Sequence, residues 1–190
     1  MHIGLFFGSF NPIHVGHMVL ANYMASFTDM KQVWFVVSPH NPLKEKASLL
    51  DQNQRLHFVN LAVEDCPNLK SSNIEFGLSQ PSYTVNTLAH LKEKHPKYQF
   101  SLIMGEDNLA SFTKWKNYEV ILQNHKIYVY PRPNVSDCEL KNHPKVVLTE
   151  APLMDISSTF IRNSIKSKKN VTCFMPLAVW QYIDEMSFYK

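Results

Sequence analysis

Residues 3–37, IGLFFGSFNPIHVGHMVLANYMASFTDMKQVWFVV, contain the pattern that decides the fold class. An apolar run of strand length at 3–7 leads through a short turn into a stretch at 17–27, where apolar residues recur at helical spacing. A second apolar run of strand length follows at 33–37. A strand, a helix and a strand in this order predict a βαβ unit with two parallel strands.

Strand and helix patterns continue to alternate along the rest of the chain. Further helices are predicted at 51–64, at 83–94, in pieces over 107–123, at 158–166 and at 177–186. Further strands are predicted at 73–76, 100–104, 126–130 and 146–148. The alternation predicts an α/β fold, a Rossmann-like doubly wound parallel sheet in which ligands bind beyond the carboxyl ends of the strands.

Length and composition favour one globular domain. The 190 residues are 45% hydrophobic and 18% charged, with no low-complexity stretch. We expect residues 1–190 to form a single domain, with an α/β core at about 1–150 and a small C-terminal helical part at about 151–190. The net charge of +3 is spread along the chain, which disfavours a nucleic-acid partner.

Cysteine usage and the N-terminus indicate a cytoplasmic protein. The three cysteines form no CxxC pair, so neither a disulfide framework nor a zinc knuckle is predicted. The N-terminus has no basic region and no cleavage site, and no run approaches about 18 apolar residues. We therefore expect no membrane partner, while the sequence leaves homo-oligomer formation open.

The turn GSFNPIHVGH, residues 8–17, is the strongest candidate for a ligand site. Gly8 allows a ligand to approach the backbone closely, and the first amides of the following helix can bind an anion. His14 and His17, three residues apart, face the same way and can both donate to one polyphosphate. The alternatives are a pair of capping histidines or half of a zinc site, although no cysteine or HExxH element accompanies them.

A second candidate site is the stretch ISSTFIR, residues 156–162. Ser157 or Ser158 can cap the predicted helix, and Arg162 then lies one turn in, near the positive end of the helix dipole. Taken alone, the stretch favours an ordinary helix cap with a surface arginine over a functional site.

Together, HxGH after the first strand and ISSTxIR near the C-terminus resemble the motifs of the nucleotidyltransferase superfamily that includes the nicotinate-nucleotide adenylyltransferases. The resemblance covers nearly the whole chain. Further matching residues are Pro81, Ser82, Tyr83, Thr84, Thr87 and Leu88, then Gly105, Glu106 and Asp107, then Trp115 and Lys116, then Arg132 and Pro133, and finally Val179, Tyr182, Ile183 and Tyr189.

The resemblance implies transfer of the adenylyl group of ATP to nicotinate mononucleotide, which gives deamido-NAD and pyrophosphate in NAD biosynthesis. The implied catalytic residues are His14, His17, Lys44 and Arg162. The implied ATP-binding residues are Gly8, Ser9, Phe10, His14, His17, Gly105, Asp107, Ile156, Ser157, Ser158, Thr159 and Arg162. The implied residues for nicotinate mononucleotide are Ser9, Lys44, Tyr83, Thr84, Asp107 and Trp115. Mg²⁺ is expected on the ATP phosphates, without metal ligands from the protein.

Individual roles follow from the same resemblance. Backbone amides near Tyr83 and Thr84 are expected to receive the nicotinate carboxylate, Trp115 to stack on the ring, and Asp107 to accept from ribose hydroxyls. Without the resemblance, Ser82 and Asp107 are simply helix caps and Trp115 is simply a core residue. Glu75 is expected to be a solvated strand residue.

Two stretches depart from the family pattern. Many members carry GTFDP where this chain has Ser9, Phe10, Asn11 and Pro12. A PPHK-type loop is replaced by Asn41, Pro42, Leu43 and Lys44. Because Leu43 stands where the family has a histidine, only Lys44 is expected to contact phosphate from this loop.

Alternative functions on the same scaffold are transfer to nicotinamide mononucleotide or phosphopantetheine, or the use of CTP. The PSYT stretch and Trp115 argue against phosphopantetheine and CTP, whereas nicotinamide and nicotinate have the same shape. A non-catalytic nucleotide-sensing module is the alternative from a different class. The joint presence of His14, His17, Lys44 and Arg162 argues against a sensor.

Overall fold

The computed structural model describes residues 1–39 and 49–190, which form a six-stranded sheet covered by seven α-helices. The strands are β1 (His2–Gly8), β2 (Gln32–Val37), β3 (Leu69–Ser72), β4 (Gln99–Gly105), β5 (Ile127–Tyr130) and β6 (Val146–Leu148). The helices are α1 (Val15–Phe27), α2 (Gln52–Val63), α3 (Thr84–Lys94), α4 (Glu106–Ala110), α5 (Tyr118–Asn124), α6 (Ser158–Lys166) and α7 (Leu177–Glu185).

The sheet is parallel throughout, with the strand order β3-β2-β1-β4-β5-β6. The chain first winds outwards from β1 to β3 and then returns to the other side of β1 with β4. The strand order reverses between β1 and β4, at what we call the switch point. A crevice outside the carboxyl ends of these two strands is the usual ligand site of such sheets. The predicted Rossmann-like doubly wound fold is confirmed, and Gly8 and Gly105 end the two strands that flank the crevice.

Each face of the sheet packs against its own hydrophobic core. Neighbouring residues of β1 point to opposite faces, so Leu5 lies in the core on one face and Phe6 in the core on the other. Ile161 of α6 and Ile183 of α7 are fully buried in the same core as Phe6. The C-terminal helices therefore share one hydrophobic core with this face of the sheet.

Two predicted elements differ from the structure. The strand predicted at 73–76 is wrong, because β3 lies at Leu69–Ser72 and Ile74–Gly77 forms a 3₁₀ turn. As an edge strand, β3 buries only its first residue and so carries little apolar pattern. Helix α1 begins at Val15, two residues before the predicted start, with His14 as its extended N-cap residue.

Candidate active site

The backbone between β1 and α1, residues 8–14, forms what we call the phosphate turn. Phe10 adopts a left-handed backbone conformation with φ 46°, which is strained for a residue with a side chain. Its buried ring packs edge-on against Phe35 at 5.3 Å and also covers Gly8, where a Cβ would lie 2.7 Å from the ring. The aromatic packing thus holds the strained turn in place, and glycine at position 8 leaves room for it.

The two histidines of HxGH lie side by side at the start of α1, as predicted. Their rings stack with centroids 3.7 Å apart, and the His14 backbone N–H donates to Nδ1 of His17 at 3.2 Å. Since Nδ1 is the acceptor, a neutral His17 ring carries its proton on Nε2. A Cβ at Gly16 would lie 3.1 Å from Nδ1 of His14, a tight contact that explains the glycine of the motif.

The His14 side chain is buried and electrically neutral near pH 7. Burial lowers its pKa from 6.5 to about 4, and the positive charge of Arg132 acts in the same direction. Its Nδ1 atom is buried and has no hydrogen-bond partner within the described part of the chain. A neutral imidazole still has one N–H donor, so His14 can hydrogen-bond to a phosphate without bringing a charge.

The second motif, at the start of α6, contacts the phosphate turn. Ser157 is the helix cap, because its Oγ accepts from the Phe160 backbone N–H at 3.1 Å. Ser158 Oγ donates to the Pro12 carbonyl oxygen, and Arg162 Nη1 donates to that of Asn11, both at 2.8 Å. Two stretches that are far apart in sequence therefore form one site.

Thr159 and Ile156 complete this part of the site. Thr159 Oγ1 accepts a hydrogen bond from Nη2 of Arg162 at 3.3 Å, so it orients the guanidinium. Ile156 is partly buried and packs against the core that also contains Phe6. The structure thus brings the predicted residues of 156–162 to the phosphate turn and anchors them on the core.

The other side of the crevice is formed by the ends of β4 and β5. Asp107 lies in the first turn of α4, about half exposed, with Oδ1 3.7 Å from Nε of Arg132. Arg132 also donates from its backbone N–H to Glu106 Oε2 at 3.0 Å and from Nη1 to the Met154 carbonyl at 2.9 Å. Arg132 therefore ties the end of β5 both to α4 and to the segment that leads into α6.

Tyr83, Thr84 and Trp115, three of the residues predicted for the acceptor nucleotide, lie on this same side of β1. Tyr83 is the N-cap residue of α3, Thr84 follows it, and Nζ of Lys116 lies 4.4 Å above the Tyr83 ring. Trp115, next in the chain to Lys116, lines a cavity of about 60 Å³. The other residues of the lining are Phe6, Phe7, Leu102, Ile103, Met104, Asn108 and Tyr130. Trp115 thus lies at the switch point. The contact of the neighbouring Lys116 with Tyr83 connects it to the PSYT stretch, residues 81–84.

Glu75 and Ser82 have other roles than the sequence predicted. Glu75 is 2% exposed and lies in the 3₁₀ turn, so the expectation of a solvated strand residue is wrong. Its Oε1 accepts from Thr87 Oγ1 at 2.7 Å and its Oε2 from Ser82 Oγ at 3.1 Å. Ser82 does not cap α3, since the N-cap is Tyr83. The available signal in the sequence was the pair of hydroxyl residues, Ser82 and Thr87, on either side of the helix start. Apolar periodicity does not show that both hydroxyls donate to the same carboxylate.

Three further expectations concern Lys44, a metal site and a membrane-spanning helix. Lys44 belongs to residues 40–48, outside the described part of the chain, so its role stays a prediction. Within 1–39 and 49–190, no three His, Cys, Asp or Glu side chains gather as they would around a metal ion. No helix of these same ranges is long and apolar enough to cross a membrane.

The sheet is parallel and doubly wound, and the phosphate turn, the two stacked histidines and Arg162 lie at its switch point. This is the architecture of a nucleotide-binding α/β protein. The profile of the cytidylyltransferase-like family matches residues 5–164. A "Probable nicotinate-nucleotide adenylyltransferase" of Flavobacterium psychrophilum is 63% identical over 192 residues, with all of both chains covered. One from Bacteroides thetaiotaomicron is 45% identical, covering 96% of this chain and 90% of the relative.

The fold is also found in a solved structure. Plasmodium falciparum nicotinic acid mononucleotide adenylyltransferase complexed with NaAD superposes with a TM-score of 0.81 at 20% identity, over 99% of this chain and 97% of that one. The chain belongs to the cytidylyltransferase-like family and, within it, to the nicotinate-nucleotide adenylyltransferases. The resemblance seen in the sequence is confirmed.

Proposed function

We propose that this chain transfers the adenylyl group of ATP to nicotinate mononucleotide, giving deamido-NAD and pyrophosphate in NAD biosynthesis. The observation that carries the proposal is the contact between the phosphate turn and the start of α6, which gathers phosphate-binding groups beside the switch point. Relatives that match over their whole length are named for this activity. The substrates are two small molecules.

The reaction needs positioning more than acid–base chemistry. The 5′-phosphate of the mononucleotide attacks the α-phosphorus of ATP, a new P–O bond forms, and the bond to pyrophosphate breaks on the opposite side. The nucleophile is already an anion, so no general base is required. Catalysis then depends on aligning the two phosphates and on stabilising the charge that develops on them.

The residues of the site divide into an ATP side and an acceptor side. His14 and His17 bind the triphosphate at the start of α1, and Arg162 with the start of α6 binds its outer phosphates. The remaining residues assigned to ATP are Gly8, Ser9, Phe10, Gly105, Asp107, Ile156, Ser157, Ser158 and Thr159. Those assigned to nicotinate mononucleotide are Ser9, Lys44, Tyr83, Thr84, Asp107 and Trp115, with Lys44 also in the catalytic set.

Mg²⁺ fits this site through the nucleotide. The described residues form no cage of carboxylates, and Mg²⁺ commonly keeps several waters while binding to substrate phosphates. When bound, the ion neutralises phosphate charge, and the histidines and Arg162 orient the same phosphates.

A cytoplasmic location agrees with the three cysteines, Cys66, Cys138 and Cys173, which are all free thiols.

The test is pyrophosphate release from ATP and nicotinate mononucleotide by the purified protein. Parallel reactions contain nicotinamide mononucleotide or phosphopantetheine as acceptor, and CTP in place of ATP. We expect turnover with ATP and nicotinate mononucleotide. No turnover with this pair contradicts the proposal, and ATP binding without pyrophosphate release from any pair supports the nucleotide-sensing alternative.

A further inference from the structure

Arg55 of α2 is a charged residue that belongs to no sequence motif and yet is fully buried. Its guanidinium donates four hydrogen bonds, and all four acceptors are backbone carbonyl oxygens. Nε donates to Leu50 at 2.9 Å, Nη1 to Ser9 at 2.7 Å and to Ser38 at 2.8 Å, and Nη2 to Pro39 at 2.8 Å. A planar group with five N–H donors suits such a set of acceptors.

The four carbonyls come from three different segments at the carboxyl edge of the sheet. Ser9 lies in the phosphate turn, Ser38 and Pro39 follow β2, and Leu50 precedes α2. Arg55 is therefore the point at which these segments are joined. Because a buried guanidinium needs hydrogen-bond acceptors, these bonds also fix the distances between the three segments.

Asn11 extends this network from the phosphate turn to the end of the described chain. Its Oδ1 accepts from the Leu50 backbone N–H at 3.3 Å and from the Tyr189 hydroxyl at 2.6 Å. The carbonyl of Asn11 accepts from Arg162, so the same residue contacts both the Arg55 side and the α6 side of the site. The position of the phosphate turn thus depends on Arg55, Asn11 and Tyr189 together.

Arg55 also brings a positive charge behind the phosphate turn. Within the described part of the chain, its guanidinium forms no ion pair. Burial lowers the pKa of the Arg55 guanidinium from its usual value, and Tyr189 and Asp51 act in the opposite direction. Arginine keeps its proton in proteins, so the charge remains and is only weakly screened at a buried position.

We propose that Arg55 is a positioning residue for the triphosphate of ATP. It holds the Ser9 carbonyl, and with it the N–H groups of the phosphate turn and His14, at a fixed distance from the segments after β2 and before α2. It touches no substrate itself. The inference rests on the proposed function, because it concerns the same phosphate site.

The first test replaces Arg55 by lysine, which keeps the charge but has a single nitrogen for four carbonyls. We expect Arg55→Lys to raise the dissociation constant of ATP, measured by calorimetry, and to lower kcat/KM by about tenfold to a hundredfold, the scale of a small misplacement of reacting groups. The conservative substitution therefore separates geometry from charge.

A matched pair of milder variants covers the case in which Arg55→Lys does not fold. Tyr189→Phe and Tyr182→Phe each remove one hydroxyl, the first from Asn11 and the second from Gln54 of α2 at 2.7 Å. We expect Tyr189→Phe to weaken ATP binding by about threefold, the effect of one net hydrogen bond. Tyr182→Phe, with a similar loss of thermal stability, leaves ATP binding and turnover unchanged.

Two results overturn the proposal. One is ATP binding and turnover of a folded Arg55→Lys protein within about twofold of wild type, less than any lost hydrogen bond should cost. The other is an equal loss in Tyr189→Phe and Tyr182→Phe, which indicates a general effect of stability. If the wild-type protein binds ATP without turnover, the proposed activity fails instead, and the ATP dissociation constants alone decide the role of Arg55.

Discussion

At the scale of single residues, burial determines the chemistry of the site. His14 is 5% exposed, and burial together with Arg132 keeps it neutral where an ordinary histidine is partly charged. A neutral donor suits a site that already has the positive charges of Arg55 and Arg162, because it can bind phosphate without adding another cation beside them. The sequence placed His14 in the site but did not show its protonation state.

The low pKa of His14 predicts a pH-dependent stability. Between pH 6.5 and about 4 the unfolded chain binds a proton at this ring and the folded chain does not, so stability falls as the pH falls. From pH 7 to pH 5, we expect wild type to lose on the order of 2 kcal/mol more than His14→Gln in urea unfolding. His125, whose pKa burial also lowers, is present in both proteins and cancels. Parallel pH curves contradict this assignment.

For His17, the prediction concerns turnover. His17→Ala removes a donor that we propose for the phosphates and should lower kcat by at least about a hundredfold, the scale for one transition-state donor. His90→Ala, at an exposed position on α3, is the matched control and should keep wild-type turnover. Near-normal turnover of His17→Ala removes this residue from the catalytic set.

At the scale of elements, short hydrogen bonds decide where helices start and what they face. Ser157 caps α6, and Ser158, one residue later, anchors the helix to the phosphate turn. Glu75 does the same for α3 by accepting from Ser82 and Thr87 on either side of its N-cap. Within the described residues, two parts of the candidate site are therefore built on helix starts that side-chain hydrogen bonds hold in place.

Replacement of Glu75 tests the second of these anchors. Glu75→Leu leaves two partly or fully buried hydroxyls without their acceptor and should cost about 2 kcal/mol in the free energy of unfolding. Glu75→Gln keeps one acceptor oxygen and should cost less. In urea unfolding, adding Thr87→Val to Glu75→Leu should recover part of the loss. Full additivity of the two substitutions indicates that the hydrogen bond contributes nothing.

At the scale of the whole molecule, one hydrophobic core links the two halves of the site. The core that contains Phe6 and Phe35 of the sheet also contains Ile161 and Ile165 of α6. The packing that stabilises the fold thus also brings the start of α6 to the phosphate turn. Folding and assembly of the site are expected to be one event.

Ile161→Ala tests this coupling. Ile161 is fully buried, and its truncation should cost about 3 kcal/mol and lower the melting temperature of the entire chain. Far-UV circular dichroism and tryptophan fluorescence should then show coincident transitions, since Trp34, Trp115 and Trp180 lie in separate parts of the chain. An early, separate transition of the C-terminal helices contradicts a single cooperative unit.

Most of the secondary structure and both phosphate motifs could be predicted from the sequence, because their signals are local. Apolar periodicity predicted α1, β2 and β4 to within a few residues, and the residues of HxGH and ISSTxIR identified the family. The prediction failed for β3, an edge strand that buries one side chain and shows almost no pattern.

The amino-acid sequence by itself determined the α/β class, the alternation of strands and helices, and the candidate residues for phosphate binding. Only the tertiary structure placed β4 beside β1, joined Ser158 and Arg162 to the phosphate turn, and buried Glu75 and Arg55 among their partners. The physical reason for this division is that the periodicity of apolar residues depends only on neighbours in sequence. The partners of a buried polar group, and the pKa of a buried histidine, depend on residues that only packing brings together.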